Sequence, residues 1–418
     1  MTIMMTASPT GLSAQTMAPD TVLIPERSII VTGDRSNVSP EIVAILYSRE
    51  NLDFHDPQAP RFLFLDREGK AMLGIGGYVK GTMSYDFDGA VDATGFETYD
   101  IPVPSNHAMR NAYRMDASHS TIFMRLIGRS SKFGSYQVYA QTDFTGGNGD
   151  YDLRLRQAYI KLGYVTAGLA RSTFSDASQP PTVDPQGPSG VITTKNIMFQ
   201  YAPALSRHLS MAVSIENPKT TYTTSDRCEA IHQRIPDIPA YIQYSWNNGS
   251  HLRLSGVFRN LSYRNLISGK NCFTTGWGVQ LSGQAELMPA LTVYYSGVYG
   301  KGIAQYLNDL EGHGFDLIHT GENGTMAAPG MTGITGGIRY NISDALFVSA
   351  SFSQCRLYDQ SHLGGNTYRC GQYAVANAFW TVFPECQIGL EYNYGRRSDC
   401  DRSINSANRL WASLQYNF

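Results

Sequence analysis

The sequence predicts an all-β protein: a 16-stranded antiparallel up-and-down transmembrane β-barrel. Three observations predict it. Only 16% of the 418 residues are charged, against about 25% in soluble domains, and Tyr 26, Phe 18 and Gly 40 take up the difference. Such a composition suits a sheet with one apolar and one polar face. Mean hydropathy is −0.25, and no window holds the roughly 18 consecutive apolar residues that a spanning helix needs. Finally, from Ala71 to the end one unit repeats: an alternating run of about ten residues, then a connection that is by turns short and long.

At the amino end, residues 1–15 lack the basic start and apolar core of an export signal, but Leu12-Ser13-Ala14-Gln15 reads like the tail of a cleavage site. We therefore expect 1–15 to be an export-signal remnant or disordered, and 16–70 to be an N-terminal periplasmic extension. Ser39-Pro40-Glu41 is helix-start chemistry for a short helix running through Ile45 to Ser48. Arg61–Asp66 followed by Arg67-Glu68-Gly69-Lys70 predicts a hairpin into the first barrel strand.

Residues 71–418 then carry sixteen runs, near 71–87, 119–129, 135–144, 151–162, 164–171, 193–202, 209–217, 239–247, 251–262, 273–286, 291–300, 331–341, 346–357, 368–381, 386–396 and 408–418. Even-numbered joints are brief, as at Asn248-Gly249-Ser250 and Phe383-Pro384-Glu385, while 88–118, 172–192, 218–238 and 301–330 are long. Period-2 patterning assigns faces. Leu73, Ile75, Val79, Met83, Tyr85 and Phe87 oppose Tyr78, Lys80, Thr82, Ser84 and Asp86; Leu410, Ala412, Leu414, Tyr416 and Phe418 oppose Arg409, Trp411, Ser413, Gln415 and Asn417. A soluble sandwich would alternate too, but it does not predict short and long turns on opposite ends.

The same test turns Lys80, Arg125, Arg154, Arg156, Arg253 and Arg339 inward, with Asp143, Glu216 and Glu391 among the inward acids. Arg or Lys at mid-depth on the lipid face would cost about 2–4 kcal/mol each. These charges either line a wet lumen or brace it through ion pairs. Ser172–Val191 carries four prolines and follows the fifth strand, which suits a rigid segment folded inward. There it would bring Asp176 and Asp184 opposite a basic wall of Lys80, Arg125, Arg154 and Arg156 and narrow a passage filtered by size and charge.

Asp143-Phe144, Leu153-Arg154-Leu155-Arg156-Gln157-Ala158-Tyr159, Ser172-Thr173-Phe174-x-Asp176, Pro181-Thr182-x-Asp184, Gly187-Pro188 and Ile215-Glu216-Asn217-Pro218, with the closing Asn408-Arg409-Leu410 through Phe418, form an ordered series. It resembles that of DcaP-like outer-membrane porins over roughly residues 71–418. The resemblance implies a homotrimer of sixteen-stranded barrels, an inward third loop, and diffusion of small hydrophilic, often anionic solutes such as dicarboxylates. It also makes terminal Phe418, with Tyr416, the signal read by the barrel-assembly machinery. The first 70 residues depart from it: they lack the heptad coiled coil that some members carry.

Other signals are weaker. Cys355 and Cys370 flank a polar connection and are candidates for a disulfide across a hairpin end. The six cysteines form no C-x-x-C pair, so no sulfur metal site is expected. Asp86-x-Asp88-Gly89-x-x-Asp92 has oxygen-ligand spacing for calcium, though solvated loop acids are the commoner reading of such spacing. Gly74-Ile75-Gly76-Gly77 has Val79 where a nucleotide loop needs glycine, and the net charge of −2 offers nucleic acid no field. No G-x-S-x-G or H-E-x-x-H occurs. We therefore expect a passive outer-membrane pore without cofactor or catalysis, with outer-membrane lipid and lipopolysaccharide, small solutes and sister subunits as partners. The alternatives are a substrate-selective channel for dicarboxylates or other organic anions, an outer-membrane lipase or protease, and a surface adhesin.

Overall fold

A computed structural model describes residues 28–32, 40–48, 52–66, 70–88, 91, 94–132, 134–147, 151–321, 323–358 and 362–418. The expected signal remnant at 1–15 lies outside the described residues. Sixteen strands form the barrel: β1 Ala71–Asp88, β2 Thr121–Ser130, β3 Gly134–Gly146, β4 Asp152–Leu162, β5 Val165–Arg171, β6 Lys195–Tyr201, β7 Leu209–Glu216, β8 Ile238–Ser245, β9 His251–Asn265, β10 Lys270–Met288, β11 Leu291–Lys301, β12 Gly330–Asn341, β13 Leu346–Leu357, β14 Tyr368–Phe383, β15 Cys386–Asp399 and β16 Ile404–Asn417. Consecutive strands pair antiparallel around the wall. The sheet closes where β16 meets β1, from Asn417↔Tyr78 to Asn408↔Asp88. Phe418 completes the seam, exchanging two backbone bonds of 2.9 Å with Gly77. In hydrocarbon every backbone group needs such a partner, and only closure supplies one to the first and last strands.

The faces follow the alternation. Val79, Met83, Phe87, Leu410, Leu414 and Tyr416 are exposed on the outside, whereas Lys80, Thr82, Ser84, Asp86, Arg409, Trp411 and Ser413 are buried inside. The strands are longer than their amphipathic runs at one end. β9 and β10 pair out to Asn265↔Lys270, and β16 begins at Ile404, four residues before its expected start. Beyond the lipid no face need be apolar, so pairing continues where the pattern stops.

Two segments pack against the wall from the amino end. Helix α1, Pro40–Leu46, starts at the expected proline and buries Ile42, Val43 and Leu46 against Leu63, Leu65, Met72 and Ile127. Strand Phe62–Leu65 forms the expected hairpin with β1, Phe62↔Ile75 through Leu65↔Met72. Arg125 donates to the carbonyls of Leu46 (2.8 Å) and Ser48 (3.1 Å), a cation on the orphan acceptors of a helix end. Gly74 makes the fit, since a Cβ there would lie 2.5 Å from Cγ of Pro60.

The expected Cys355–Cys370 disulfide is corrected. All six cysteines are free. In register Cys355 faces Gly371 and Cys370 faces Arg356, so Cys355 points into the lumen and Cys370 outward, and a bridge would have to cross the sheet.

Gly74→Leu should therefore overpack the seat of α1 by about 1–3 kcal/mol. Limited proteolysis should cut residues 40–60 roughly tenfold faster in that variant while the barrel stays resistant.

Candidate functional site

Loop 172–192 leaves β5 and crosses the lumen. Two inward glutamates hold its start and its middle by their carboxylates. Glu216 accepts from Ser172 Oγ and the Thr173 N–H, both at 2.8 Å. Glu391 accepts from the N–H groups of Val183 (2.5 Å) and Asp184 (3.0 Å). Between them Ser349 and Asn377 donate to the Pro181 carbonyl at 3.0 and 2.8 Å, and beyond them the Gly190 N–H donates to Ser353 Oγ at 2.8 Å. A loop inside a barrel leaves many backbone donors in need of partners, and an ionised acceptor makes the stronger bonds. Gly337 lets the loop lie close: its Cβ would meet Pro180 Cγ at 2.5 Å.

The expected residues are gathered here, but in different roles. Lys80 donates to the Val183 carbonyl at 3.2 Å, which puts it under the loop. Arg154 and Arg156 share Asp143, at 2.9 and 3.2 Å. Arg125 is used on α1, as above. Arg253 donates to the Ser175 carbonyl and to Gln243, both at 2.8 Å, and lies 4.1 Å over the Tyr241 ring. Arg339 lies 4.0 Å over Phe347 and donates to Asn341 at 3.0 Å. Tyr416 accepts from Arg61 at 3.1 Å.

The two loop acids correct an expectation, because neither faces the basic wall across open water. Asp176 is 4% exposed and meets His251 at 3.0 Å and Ser282 at 2.7 Å; Asp184 is 0% exposed and accepts from the Phe96 N–H at 3.0 Å and Tyr373 at 3.1 Å. Burial pushes Asp184 up to about 6, with the Phe96 and Gln186 amides and Arg409 pulling it back. The calcium candidate is corrected as well. Asp86 has both oxygens on Arg409, at 2.6 and 2.9 Å, Asp88 pairs with Arg110 at 2.8 Å, and Asp92 lies outside the described residues.

What opens on the remaining space includes residues without an advance signal. His55, Lys80, His119, Asp143, Arg156 and Pro185 border a void of about 20 Å³, room for about one water. The segment Asp53–Asp56 comes from outside the repeat. Asp53 and Asp56 pair with Arg171, and Lys195 lies 3.8 Å from Asp56. His55 meets Thr182 Oγ1 at 3.1 Å, and its carbonyl accepts from Tyr78 at 2.9 Å. Phe54 packs edge-on against Phe379 at 4.9 Å. Burial first, then Lys80, holds the His55 imidazole down at about 3, while burial and Lys80 likewise hold His119 at about 4. Both rings are neutral at pH 7. Glu97, Asp100 and His313 bring ligand atoms within 4.8 Å of one another on two other loops, and burial raises Glu97 to about 7.

The model of the family described as DcaP outer membrane protein matches residues 69–418. The crystal structure of the outer membrane channel DcaP of Acinetobacter baumannii is similar over 85% of this chain and 99% of its own, with TM-score 0.75 and 19% identity. OmpF of Salmonella typhi, solved with daunomycin, matches over 84% of this chain and 98% of its own at TM-score 0.53 and 10% identity. The trimer form of OmpT of Vibrio cholerae matches over 84% and 100% at TM-score 0.51 and 7% identity. At these identities the likeness is one of fold. No curated protein matches in sequence.

Glu391→Ala should leave the Val183 and Asp184 amides without their acceptor, at about 1–3 kcal/mol for each buried donor. Hydrogen exchange at 182–186 should accelerate by roughly tenfold or more, and Glu391→Gln should recover part of the protection.

Proposed function

Because this chain belongs to the DcaP outer membrane protein family, a family of outer-membrane channels rather than enzymes, we propose that it passes small hydrophilic solutes by passive diffusion. Loop 172–192 narrows the path, and the path favours anions. The observation that carries this reading is the charge left beside the void. Lys80 and Arg156 border it with one acid, Asp143, which Arg154 also pairs, while Glu216 and Glu391 hold amides of the loop and the loop's own Asp176 and Asp184 are held by His251 and Tyr373 of the wall. A narrow passage lined by uncompensated cations concentrates anions and repels cations.

Three further roles belong to the same reading. The chain assembles as a homotrimer, as OmpT does in its trimer form. Phe418, locked into the seam beside Tyr416, serves the barrel-assembly machinery as its recognition end. The N-terminal extension serves the periplasmic side of the barrel, and its Asp53–Asp56 segment narrows the path where His55 shares a void with Pro185.

His55 adds a pH dependence. Docked, it stays neutral down to about pH 3; undocked, it takes a proton near 6.5. Protons thus bind the undocked state better, so docking is at full strength above pH 6.5 and weakens as pH falls toward 3.

In planar bilayers, deleting residues 176–188 should raise single-channel conductance, and an unchanged value contradicts the constriction. Reversal potentials in a salt gradient should indicate anion preference, reduced by Lys80→Met or Arg156→Ser. Conductance should rise below about pH 6, and His55→Phe should reduce that rise. Liposome swelling should rank sugars and organic acids by mass; a dicarboxylate that outruns its mass would favour the selective channel instead.

A further inference from the structure

Lipid-facing strands should carry apolar side chains, and four adjacent ones stop doing so at a common height. On β13, outward residues run Leu346, Val348, Ala350, Phe352, then Gln354 and Arg356. In register across β13 to β16, one row reads Gln354, Gln372, Arg396, Ser406 and the next Arg356, Cys370, Ser398, Ile404. Neither row holds an acid. A bulge between Tyr368 and Cys370 adds Arg369 to the same place. Three guanidinium groups, Arg356, Arg369 and Arg396, thus border an outward-facing cavity of about 280 Å³, together with Gln354, Gln372 and Ser398.

Among the described residues these arginines have no ion pair. Nearby acids point elsewhere: Asp399 is held by Arg397 at 2.8 Å, and Asp401 by the Ser403 N–H at 2.8 Å. The Nε of Arg369 is buried without a hydrogen-bond partner among the described groups, and Arg356 lies 4.9 Å over the Tyr358 ring. Below the pocket, Ala374, Ala376 and Ala378 form a shallow column between Phe352 and Tyr394 at the top, with Trp380 at its foot. The pocket lies at the end of the barrel opposite Phe418, where the long connections emerge.

We propose that this pocket binds the phosphate group of an anionic lipid in the leaflet on the long-loop side, with an acyl chain in the alanine column. Guanidinium groups match phosphate oxygens in bidentate geometry, and basic pockets on membrane proteins seat lipid head groups. A trio with no counter-charge among the described residues, at the edge of the apolar band, favours an anion, and the membrane surface supplies one at that height. This rests on the outer-membrane reading but involves no pore residue.

The test uses the full chain in detergent. Native mass spectrometry should show bound diphosphorylated lipid A. Affinity should fall roughly fivefold or more per arginine removed in Arg356→Gln, Arg369→Gln and Arg396→Gln combined, with conductance unchanged. On the unaltered chain, lipid A should protect Cys370 from alkylation, as located by peptide mapping, so the result does not depend on the variant folding. Dephosphorylated lipid A should do neither. Equal lipid binding by the variant, or no protection of Cys370, overturns the site. Equal protection by inorganic phosphate at the same concentration makes it a free-anion site and overturns the lipid assignment. Loss of oligomer in the variant with lipid binding intact would make the face a contact between copies, which also overturns it. Loss of conductance with lipid binding preserved would count against the channel reading alone.

Discussion

A backbone in lipid cannot leave a hydrogen bond unmade, and the rest of this molecule follows from that. One unpaired edge of eight or more residues in hydrocarbon would cost several kcal/mol per group, more than any side-chain contact could return. The chain therefore brings its last strand to its first, across more than three hundred residues, and locks the seam with Phe418 on Gly77. Closure then divides the side chains between two solvents. Every second residue meets lipid, and every other one meets the interior.

The interior obeys a second rule. A barrel of this width encloses more backbone than its own strands, because loop 172–192 and the segment around Asp53 enter it, and their donors and acceptors need partners away from bulk water. Charged side chains provide them. Glu391 and Glu216 hold loop amides, while Lys80, Arg125 and Arg253 hold carbonyls. Architecture thus consumes most of the inward charge, and in the proposed channel only the few groups left over would face a solute. A count of inward Arg and Lys taken from a strand pattern overstates what a passing solute meets.

This separates what was legible from what was not. All sixteen strands could be read, because lipid enforces period-2 alternation and the short turns punctuate it; errors fell at the loop-side ends, as at β9, β10 and β16, where the enforcement ends. The prolines of loop 172–192 marked a rigid segment. The partners that hold it were not legible, since a side chain's facing direction does not reveal which backbone it will meet. Asp176 and Asp184 looked like pore acids and proved to be buried anchors. Asp86 looked like a cation ligand, but its partner Arg409 lies 323 residues away. Cys355 and Cys370 are near in sequence yet lie on opposite faces, which only the register between β13 and β14 decides. His55 had no signal at all, because it lies outside the repeat and reaches the lumen by packing.

The most direct test is the seam itself. Magic-angle-spinning NMR of the lipid-reconstituted chain should show cross-strand backbone contacts between Val79 and Tyr416 and between Gly81 and Leu414, the register partners of β1 and β16. Their intensity should match contacts within the β9–β10 hairpin. Seam contacts missing while the hairpin contacts persist would mean an open sheet, and no water-filled channel could then be built from it.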